Sequence, residues 1–276
     1  MLKRLFLVTS FIAIVSVGTA FKYTPAEDAF APIPDSFSEF DMDRKITNGA
    51  FQVGEALKFI IRVGPISAGN AFMEILEVVT HNNRRCYRVV SRAESNNFFS
   101  AFYKVRDKAT SWIDSVGIYP WHYQKQTREG KYRADIKLIF DQTNNRIITK
   151  KDTVETPPYV QDVLSSFYYL RTQELEVGKS YSIDYFSEKK LYPLEAKILR
   201  RETVRVRAGK FACLVVEPVL KSAGIFKHKG RITVWLTDDQ RKMPVLMKSQ
   251  IVVGSIVAEL TGYEGVVPAD PLAERR

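Results

Sequence analysis

Two cysteines carry the most distinctive chemistry in this 276-residue chain, and their placement permits two interpretations. Cys86 and Cys213 each lie inside an apolar stretch that predicts a strand. If the protein is exported, an oxidising compartment permits a disulfide between them, which would contribute about 4–5 kcal/mol in the chain-entropy model. Buried free thiols are also common core residues. The disulfide and the pair of free thiols both stay open at this point.

The three histidines predict no metal centre. His81, His122 and His228 are far apart in sequence, and no pair has the spacing of metal ligands. A structural zinc site needs about four converging ligands. We therefore expect no metal and no other cofactor. Cys86 and His122 could act as a thiol–imidazole pair only if the fold brought them together.

Signals for a hydrolase are weak. The chain has no Gly-x-Ser-x-Gly turn of the kind that presents a serine nucleophile. Ser165 and Ser166 fall in a predicted helix, where serine hydroxyls bond back to carbonyl oxygens. Asp238 and Asp239 follow a predicted strand, and this position favours a hairpin turn over a catalytic carboxylate pair. The sequence leaves enzymatic activity uncertain and favours a protein that is not an enzyme.

Alternation of apolar and polar residues is the main structural signal. Leu57, Phe59, Ile61 and Val63 alternate with Lys58, Ile60 and Arg62, as in a half-buried strand. Residues 121–128 and 131–140 predict a hairpin around Glu129-Gly130. Similar strands follow along the chain with almost no helix between them. We expect an all-β fold of antiparallel strands that forms a curved sheet, a half-barrel or a barrel.

One short segment predicts a helix. After Pro157-Pro158, the apolar residues Val163, Leu164, Phe167 and Leu170 recur at helical spacing. Asp162 can cap the first turn, and Arg171 suits the last. We expect this amphipathic helix to cover the core of the sheet and to join two halves of the protein. A helix lying on a membrane is the alternative.

Four landmarks of the first half recur in the second in the same order, at offsets of 123 to 127 residues. Examples are Gly54 with Gly178 and Trp112 with Trp235. A constant offset indicates a repeated unit, so we predict related β halves over residues 50–156 and 175–267, joined by residues 157–174. The matching tryptophans favour a repeated core element over a platform for sugar rings.

The N-terminus has the three parts of a secretory signal peptide. Lys3 and Arg4 precede an apolar run, and Gly18-Thr19-Ala20 supplies small residues for cleavage. The run is shorter than the roughly 20 residues that span a bilayer, although an uncleaved anchor is the alternative. We expect a signal peptide at residues 1–20, an acidic, proline-containing extension at 21–49 and a tail at 268–276. The protein should be exported and periplasmic or envelope-associated.

The chain is basic, with 41 Lys and Arg against 31 Asp and Glu and a formal net charge of +10. A basic protein favours anionic surfaces such as phospholipid headgroups, lipopolysaccharide or acidic glycans. The charges are scattered and the chain carries an export signal, so we do not expect a nucleic-acid partner. A solvated basic surface is the simpler interpretation.

Several phrases resemble one bacterial family. They are Val53-Gly54-Glu55-Ala56-Leu57, residues 66–71, residues 102–107, residues 164–171 and Trp235-Leu236-Thr237-Asp238-Asp239. Over roughly residues 50–265 the chain is similar to domain of unknown function 3108, a family of uncharacterised envelope proteins. The resemblance implies an exported, mostly β protein of the cell envelope. It brings no catalytic residues with it.

Together these patterns favour a non-enzymatic envelope protein that holds an apolar or amphipathic ligand, a lipid or glycolipid, inside a curved sheet. The alternative is a scaffold or assembly protein that binds another protein or a glycan by its surface or edge strands. A hydrolase is the third hypothesis. The sequence identifies neither the ligand-binding residues nor the oligomeric state.

Overall fold

Within the residues that it describes, a computed structural model shows one antiparallel sheet of 14 strands with two helices. The structure describes residues 42–81, 83–187, 190–220, 231–250 and 254–269. The predicted signal peptide, most of the acidic extension, the end of the tail and His228 lie outside the described residues.

Eight strands precede the longer helix and six follow it. The elements are β1 (Ala56–Val63), β2 (Ile66–His81), β3 (Arg84–Ser95), α1 (Asn97–Ser100), β4 (Arg106–Asp114), β5 (Pro120–Glu129), β6 (Tyr132–Asp141), β7 (Arg146–Ile148), β8 (Thr153–Glu155), α2 (Val163–Arg171), β9 (Ser180–Phe186), β10 (Leu191–Val206), β11 (Gly209–Leu220), β12 (Ile232–Thr237), β13 (Pro244–Gln250) and β14 (Ser255–Glu264).

The sheet is two meanders joined side by side. Its order is β8-β7-β6-β5-β4-β3-β2-β1-β14-β13-β12-β11-β10-β9. Within each half, strands adjacent in sequence are therefore adjacent in the sheet, and the pairing of β1 with β14 connects the two halves. The sheet is curved and does not close. The predicted all-β, antiparallel fold is confirmed.

The outer edges of the sheet offer little room for a further strand. β8 has three residues. On the outer side of β9, Gln161 donates its amide to the Asp184 carbonyl at 2.8 Å and accepts from the Phe186 amide at 2.9 Å. The linker before α2 therefore already occupies part of this edge, which leaves less backbone for the strand addition that a scaffold would use.

Equivalent glycines begin the two halves in the same geometry. Gly54 and Gly178 have φ angles of 90° and 87°, a region that favours glycine. The Gly54 amide donates to Ile75 and the Gly178 amide to Ile198, each at 2.8 Å. The register also shifts directly after Ile75 in β2 and after Ile198 in β10. A repeated structural unit predicts this correspondence.

Trp112 and Trp235 lie at matching positions of the backbone, but their surroundings differ. The register between β4 and β5 shifts after Trp112, and that between β12 and β13 shifts after Trp235. Trp235 is buried in the main core. Trp112 is half-buried and stacks on His122, with the ring centroids 4.7 Å apart. Trp112 packs against a smaller buried cluster formed by Cys86, Tyr119 and Trp121. Both tryptophans therefore contact core residues, and they belong to different clusters.

Helix α2 begins where the sequence indicates. The Asp162 carboxylate accepts from the amides of Leu164 and Ser165 at 2.7 and 2.9 Å. The Ser165 hydroxyl accepts from the Asp162 amide at 2.9 Å, which completes a capping box. Ser166 donates to the Val163 carbonyl at 3.1 Å. Both serines thus serve the helix backbone, as predicted for hydroxyls in this segment.

Helix α2 lies against the sheet and contributes buried side chains to two core clusters. The main core joins Leu164 and Tyr168 of α2 to buried residues of both halves. A second cluster joins Leu170 to strands β9 to β12. At the end of the helix, Arg171 is fully buried and pairs with Glu55, which precedes β1. The helix is a central part of the core, beyond the covering role that the sequence predicted.

Candidate ligand pocket

A cavity of about 150 Å³ lies between α2 and the second half of the sheet. Most of its lining side chains are aliphatic or aromatic: Met73, Ser91, Val163, Leu164, Ser166, Phe167, Leu170, Ile183, Tyr185, Leu194, Ala196, Val216, Pro218, Ile232, Val234, Leu236, Met247 and Lys248. An apolar cavity of about this volume can bind a benzene-sized molecule. The site can therefore hold a hydrocarbon group.

Strand alternation and register build the sheet wall of this pocket. Ala196 of β10 lies opposite Pro218 of β11. Val216 of β11 lies opposite Val234 of β12, which in turn lies opposite Met247 of β13. Residues opposite each other in an antiparallel pair share a face of the sheet. The pocket wall is therefore a continuous row of apolar side chains across four strands.

One face of α2 supplies the opposite wall. Val163, Phe167 and Leu170 are spaced by four and three residues, so they lie on the same side of the helix. Ser166 also lines the pocket and is buried. The apolar stripe recognised in the sequence thus forms part of a binding cavity in addition to packing against the core.

Burial and charge change from the floor of the pocket to its rim. Leu164 and Leu236 are buried. Met247 is half-buried, and Lys248 beside it in β13 is exposed. No acidic partner of the Lys248 ammonium is found among the described residues. An apolar interior with an exposed lysine among its lining residues suits an amphipathic molecule that carries an anionic head.

Cys86 and Cys213 are both free, buried thiols. Five strands lie between β3 and β11 in the sheet order, and the disulfide that export would permit is not formed. The Cys86 thiol donates to the Arg84 carbonyl and the Cys213 thiol to the Phe211 carbonyl, at 3.6 Å each. Burial raises the pKa of both thiols to about 12. Neither cysteine is activated as a nucleophile.

The described histidines form a stack away from the pocket lining. The His81 and His122 ring centroids are 5.8 Å apart. Burial, together with the nearby His81 and Lys137, lowers the pKa of His122 to about 4. The rings stack face to face, and the described residues contain no group of three or more His, Cys, Asp and Glu side chains that could hold a metal ion. The pair is therefore a packing element of the sheet.

Asp238 and Asp239 belong to the turn between β12 and β13. Asp238 pairs with Arg201 at 2.7 Å. Asp239 accepts from the Thr237 hydroxyl at 2.7 Å and from the Arg241 side chain, and these contacts lower the pKa of Asp239 although burial opposes them. Each carboxylate thus has an arginine partner in a hairpin connection, which is the structural role that the sequence favoured.

Comparisons with known proteins bear on the fold and the family. The model of the family described as "Protein of unknown function (DUF3108)" matches residues 58–261. No curated protein matches the chain significantly. No helix within the described ranges combines the length and the hydrophobicity needed to cross a bilayer.

The fold is similar to that of a β-barrel-like protein of domain of unknown function DUF1849 from Brucella abortus, with a TM-score of 0.54 and 10% identity over 79% of this chain and 100% of that one. Weaker matches are a candidate lipoprotein from Parabacteroides distasonis (TM-score 0.33, 10% identity, 81% and 100% covered) and a candidate exported protein with a YmcC-like fold from Bacteroides fragilis (TM-score 0.31, 10% identity, 80% and 99% covered). Only the first score supports a comparison of folds.

Proposed function

Because this chain belongs to the DUF3108 family, whose function is unknown, we propose a function from its own pocket: it is an exported cell-envelope protein that binds an apolar or amphipathic ligand, a lipid or glycolipid, between α2 and the second half of the sheet. The proposal rests on one observation, the apolar cavity itself, which the surrounding side chains do not fill. Curved β-sheets of this kind can enclose one small ligand.

The dimensions of the pocket limit the bound group. A cavity of about 150 Å³ accommodates a benzene-sized group, so it would take a short segment of one acyl chain rather than a whole phospholipid. Each buried methylene contributes about 0.8 kcal/mol. The remainder of the ligand would leave past Met247 and Lys248, where a cation can attract an anionic head.

Export is the second part of the proposal. The first 20 residues have the composition of a signal peptide, and the basic net charge suits an environment rich in anionic lipids. An apolar binding pocket is also useful where lipids must be held outside a bilayer. The alternative of a scaffold that adds a strand at its edge is less well supported, because the linker before α2 contacts the edge of β9.

Lipid extraction tests the proposal. The protein is produced with its N-terminal 20 residues in a bacterial host, purified from the periplasm and extracted with organic solvent, and the extract is examined by mass spectrometry. Ala196→Leu should occupy part of the pocket and shorten the chain that fits, whereas Ala212→Leu adds the same side chain at an exposed position of β11. One amphiphile should be enriched with the wild type and Ala212→Leu and lost with Ala196→Leu. Equal recovery from all three proteins would refute the pocket as the binding site.

A further inference from the structure

The most exposed aromatic residues of the described chain are grouped around one short helix. Phe98 of α1 is 65% exposed, and Phe102, just after α1, is 74% exposed. Their ring centroids are 5.7 Å apart. Ile66 in β2 is also 53% exposed. Large apolar side chains that project together into solvent mark an interaction surface.

Hydrogen bonds fix α1 beside the β1–β2 turn. The Asn96 side chain accepts from the Phe99 amide at 2.9 Å and donates to the Ser67 carbonyl at 2.7 Å. The Asn96 amide donates to the Ala68 carbonyl at 2.9 Å. Because these bonds connect α1 to the start of β2, the two phenylalanines are presented by an ordered element.

Strand direction places several connections at this same end of the sheet. Neighbouring strands are antiparallel, so every odd-numbered strand runs toward the end that carries α1, which we call the α1 end. The β1–β2 and β5–β6 turns therefore lie there. The Gly130 amide in the β5–β6 turn donates to the Lys104 carbonyl after α1 at 2.8 Å. Tyr132, the first residue of β6, adds a ring that is 51% exposed.

Basic residues occur on the same connections as these apolar residues. Lys104, Lys131 and Arg133 are all exposed. Among the described residues, no acidic side chain forms an ion pair with the Lys104 or Lys131 ammonium. The nearby Glu94 carboxylate lies 3.8 Å from the Arg106 guanidinium, and the positive charge of Arg106 offsets the negative charge of Glu94. The α1 end therefore combines projecting aromatic rings with positive charge.

This combination matches the interface of an anionic bilayer. Aromatic residues favour the headgroup region, and lysine or arginine near the surface is attracted to anionic lipids. Phe98 and Phe102 lie on the connection between β3 and β4, and Ile66 and Tyr132 begin strands at the same end, an arrangement that suits shallow insertion. From this complementarity we propose that the α1 end docks onto an anionic lipid bilayer, with Phe98 and Phe102 inserted among the headgroups. The proposal does not depend on the pocket binding a ligand.

The pocket lies toward the same end. Pro218 of β11, Ile232 of β12 and Lys248 of β13 line the pocket and stand near the strand ends that point to the α1 end. Docking there would bring the rim of the pocket close to the membrane surface. This arrangement would suit a protein that takes up or delivers an acyl chain.

Vesicle flotation tests docking directly. The full chain without residues 1–20 is mixed with vesicles of phosphatidylcholine alone or of phosphatidylcholine with phosphatidylglycerol at about 3:1. We expect binding to the anionic vesicles that weakens at high salt, because surface charges are screened. Phe98→Ser/Phe102→Ser and Lys104→Gln/Lys131→Gln should each reduce affinity about tenfold or more.

The matched control is Val116→Ser/Val177→Ser, which changes two residues that are 47% and 41% exposed at the opposite end of the sheet. It should bind like the wild type, and thermal melts should show that every variant is folded. Equal binding to neutral vesicles, absence of binding to the anionic vesicles, or full binding by Phe98→Ser/Phe102→Ser would each overturn the proposal. Ala196→Leu should still dock, which separates failure of docking from failure of the pocket.

Discussion

Arg171 and Glu55 form a bidentate ion pair in which neither side chain is exposed to solvent. The Arg171 guanidinium donates to the two Glu55 oxygens at 2.6 and 2.8 Å. It also donates to the Arg241 carbonyl at 3.1 Å and to the Ala50 carbonyl at 3.2 Å. The last residue of α2 is thereby bonded to the segment before β1 and to the β12–β13 turn. This network holds the helix that forms one wall of the pocket.

Removing one partner of this pair should be strongly destabilising. Arg171→Met leaves the Glu55 carboxylate buried without its partner, a change that costs about 3–5 kcal/mol. Adding Glu55→Gln should restore part of the loss, because the effects of substitutions at two contacting residues on the free energy of unfolding are not additive. Urea denaturation gives the free energies of unfolding. Arg200→Met, in an exposed pair with Glu202, should cost less than about 1 kcal/mol; an equally small loss for Arg171→Met would contradict the assignment.

Asp162 should make stability depend on pH. Burial raises the pKa of this carboxyl from 3.8 to about 6, although its hydrogen bonds from Ser111, Ser165 and Leu164 act in the opposite direction. The folded state then holds the proton more tightly than the unfolded state, so this group's contribution to stability is present below pH 4 and is lost as the pH rises to about 6. The loss is up to about 3 kcal/mol at 1.36 kcal/mol per pKa unit.

Asp162→Asn separates this effect from the other titrations. The amide keeps an acceptor oxygen for the helix cap and cannot ionise. The stability of the variant relative to the wild type should therefore increase between pH 4 and pH 6, measured by urea denaturation at several pH values. A difference that stays constant across this interval would show that Asp162 does not titrate there.

Both cysteines should be inert in the folded protein. Cys86 and Cys213 are buried, and burial holds the pKa of each thiol at about 12, so the reactive thiolate is scarce at pH 8. Iodoacetamide should modify neither residue in the native state and both in urea without a reductant. An intact mass lower by two hydrogens, or one thiol that reacts rapidly in the native state, would contradict this account.

Lys248 should select among amphiphiles by charge. Octanoate and octanol share an apolar chain, and only the carboxylate can pair with the ammonium at the pocket rim. Lys248→Gln should weaken octanoate about two- to fivefold, the range of an exposed ion pair, and leave octanol unchanged. Lys210→Gln, at an exposed position in the β10–β11 hairpin, is the matched control. Calorimetric titration measures the affinities of both ligands for the wild type and the two variants, and equal weakening of both ligands by Lys248→Gln would argue against a charge contact.

The sequence predicts most of this fold and little of the pocket. Alternation is a local signal, so it identifies β1 and its successors, and the Asp162 cap identifies the start of α2. The four residues of α1 are too few to show a period. Arg171 suits a helix C-terminus in the sequence, but its partner Glu55 is 116 positions away and only tertiary structure reveals it.

The cavity depends on relationships between strands. The small side chain of Ala196 matters because Pro218 lies opposite it and Phe167 faces the same space. Met73 reaches this pocket from the other half of the chain. Periodicity shows that such residues are buried and does not show whether the space between them is filled.

The central claim is that this pocket binds a hydrocarbon chain, and the affinities of straight-chain carboxylates of six to twelve carbons test it most directly. Calorimetry on the wild type should show affinity rising about fourfold per methylene, from about 0.8 kcal/mol each, until the pocket is full. Ala196→Leu should level off at a shorter chain, and Ala212→Leu should match the wild type. Affinities independent of chain length, or an unchanged series for Ala196→Leu, would contradict the claim.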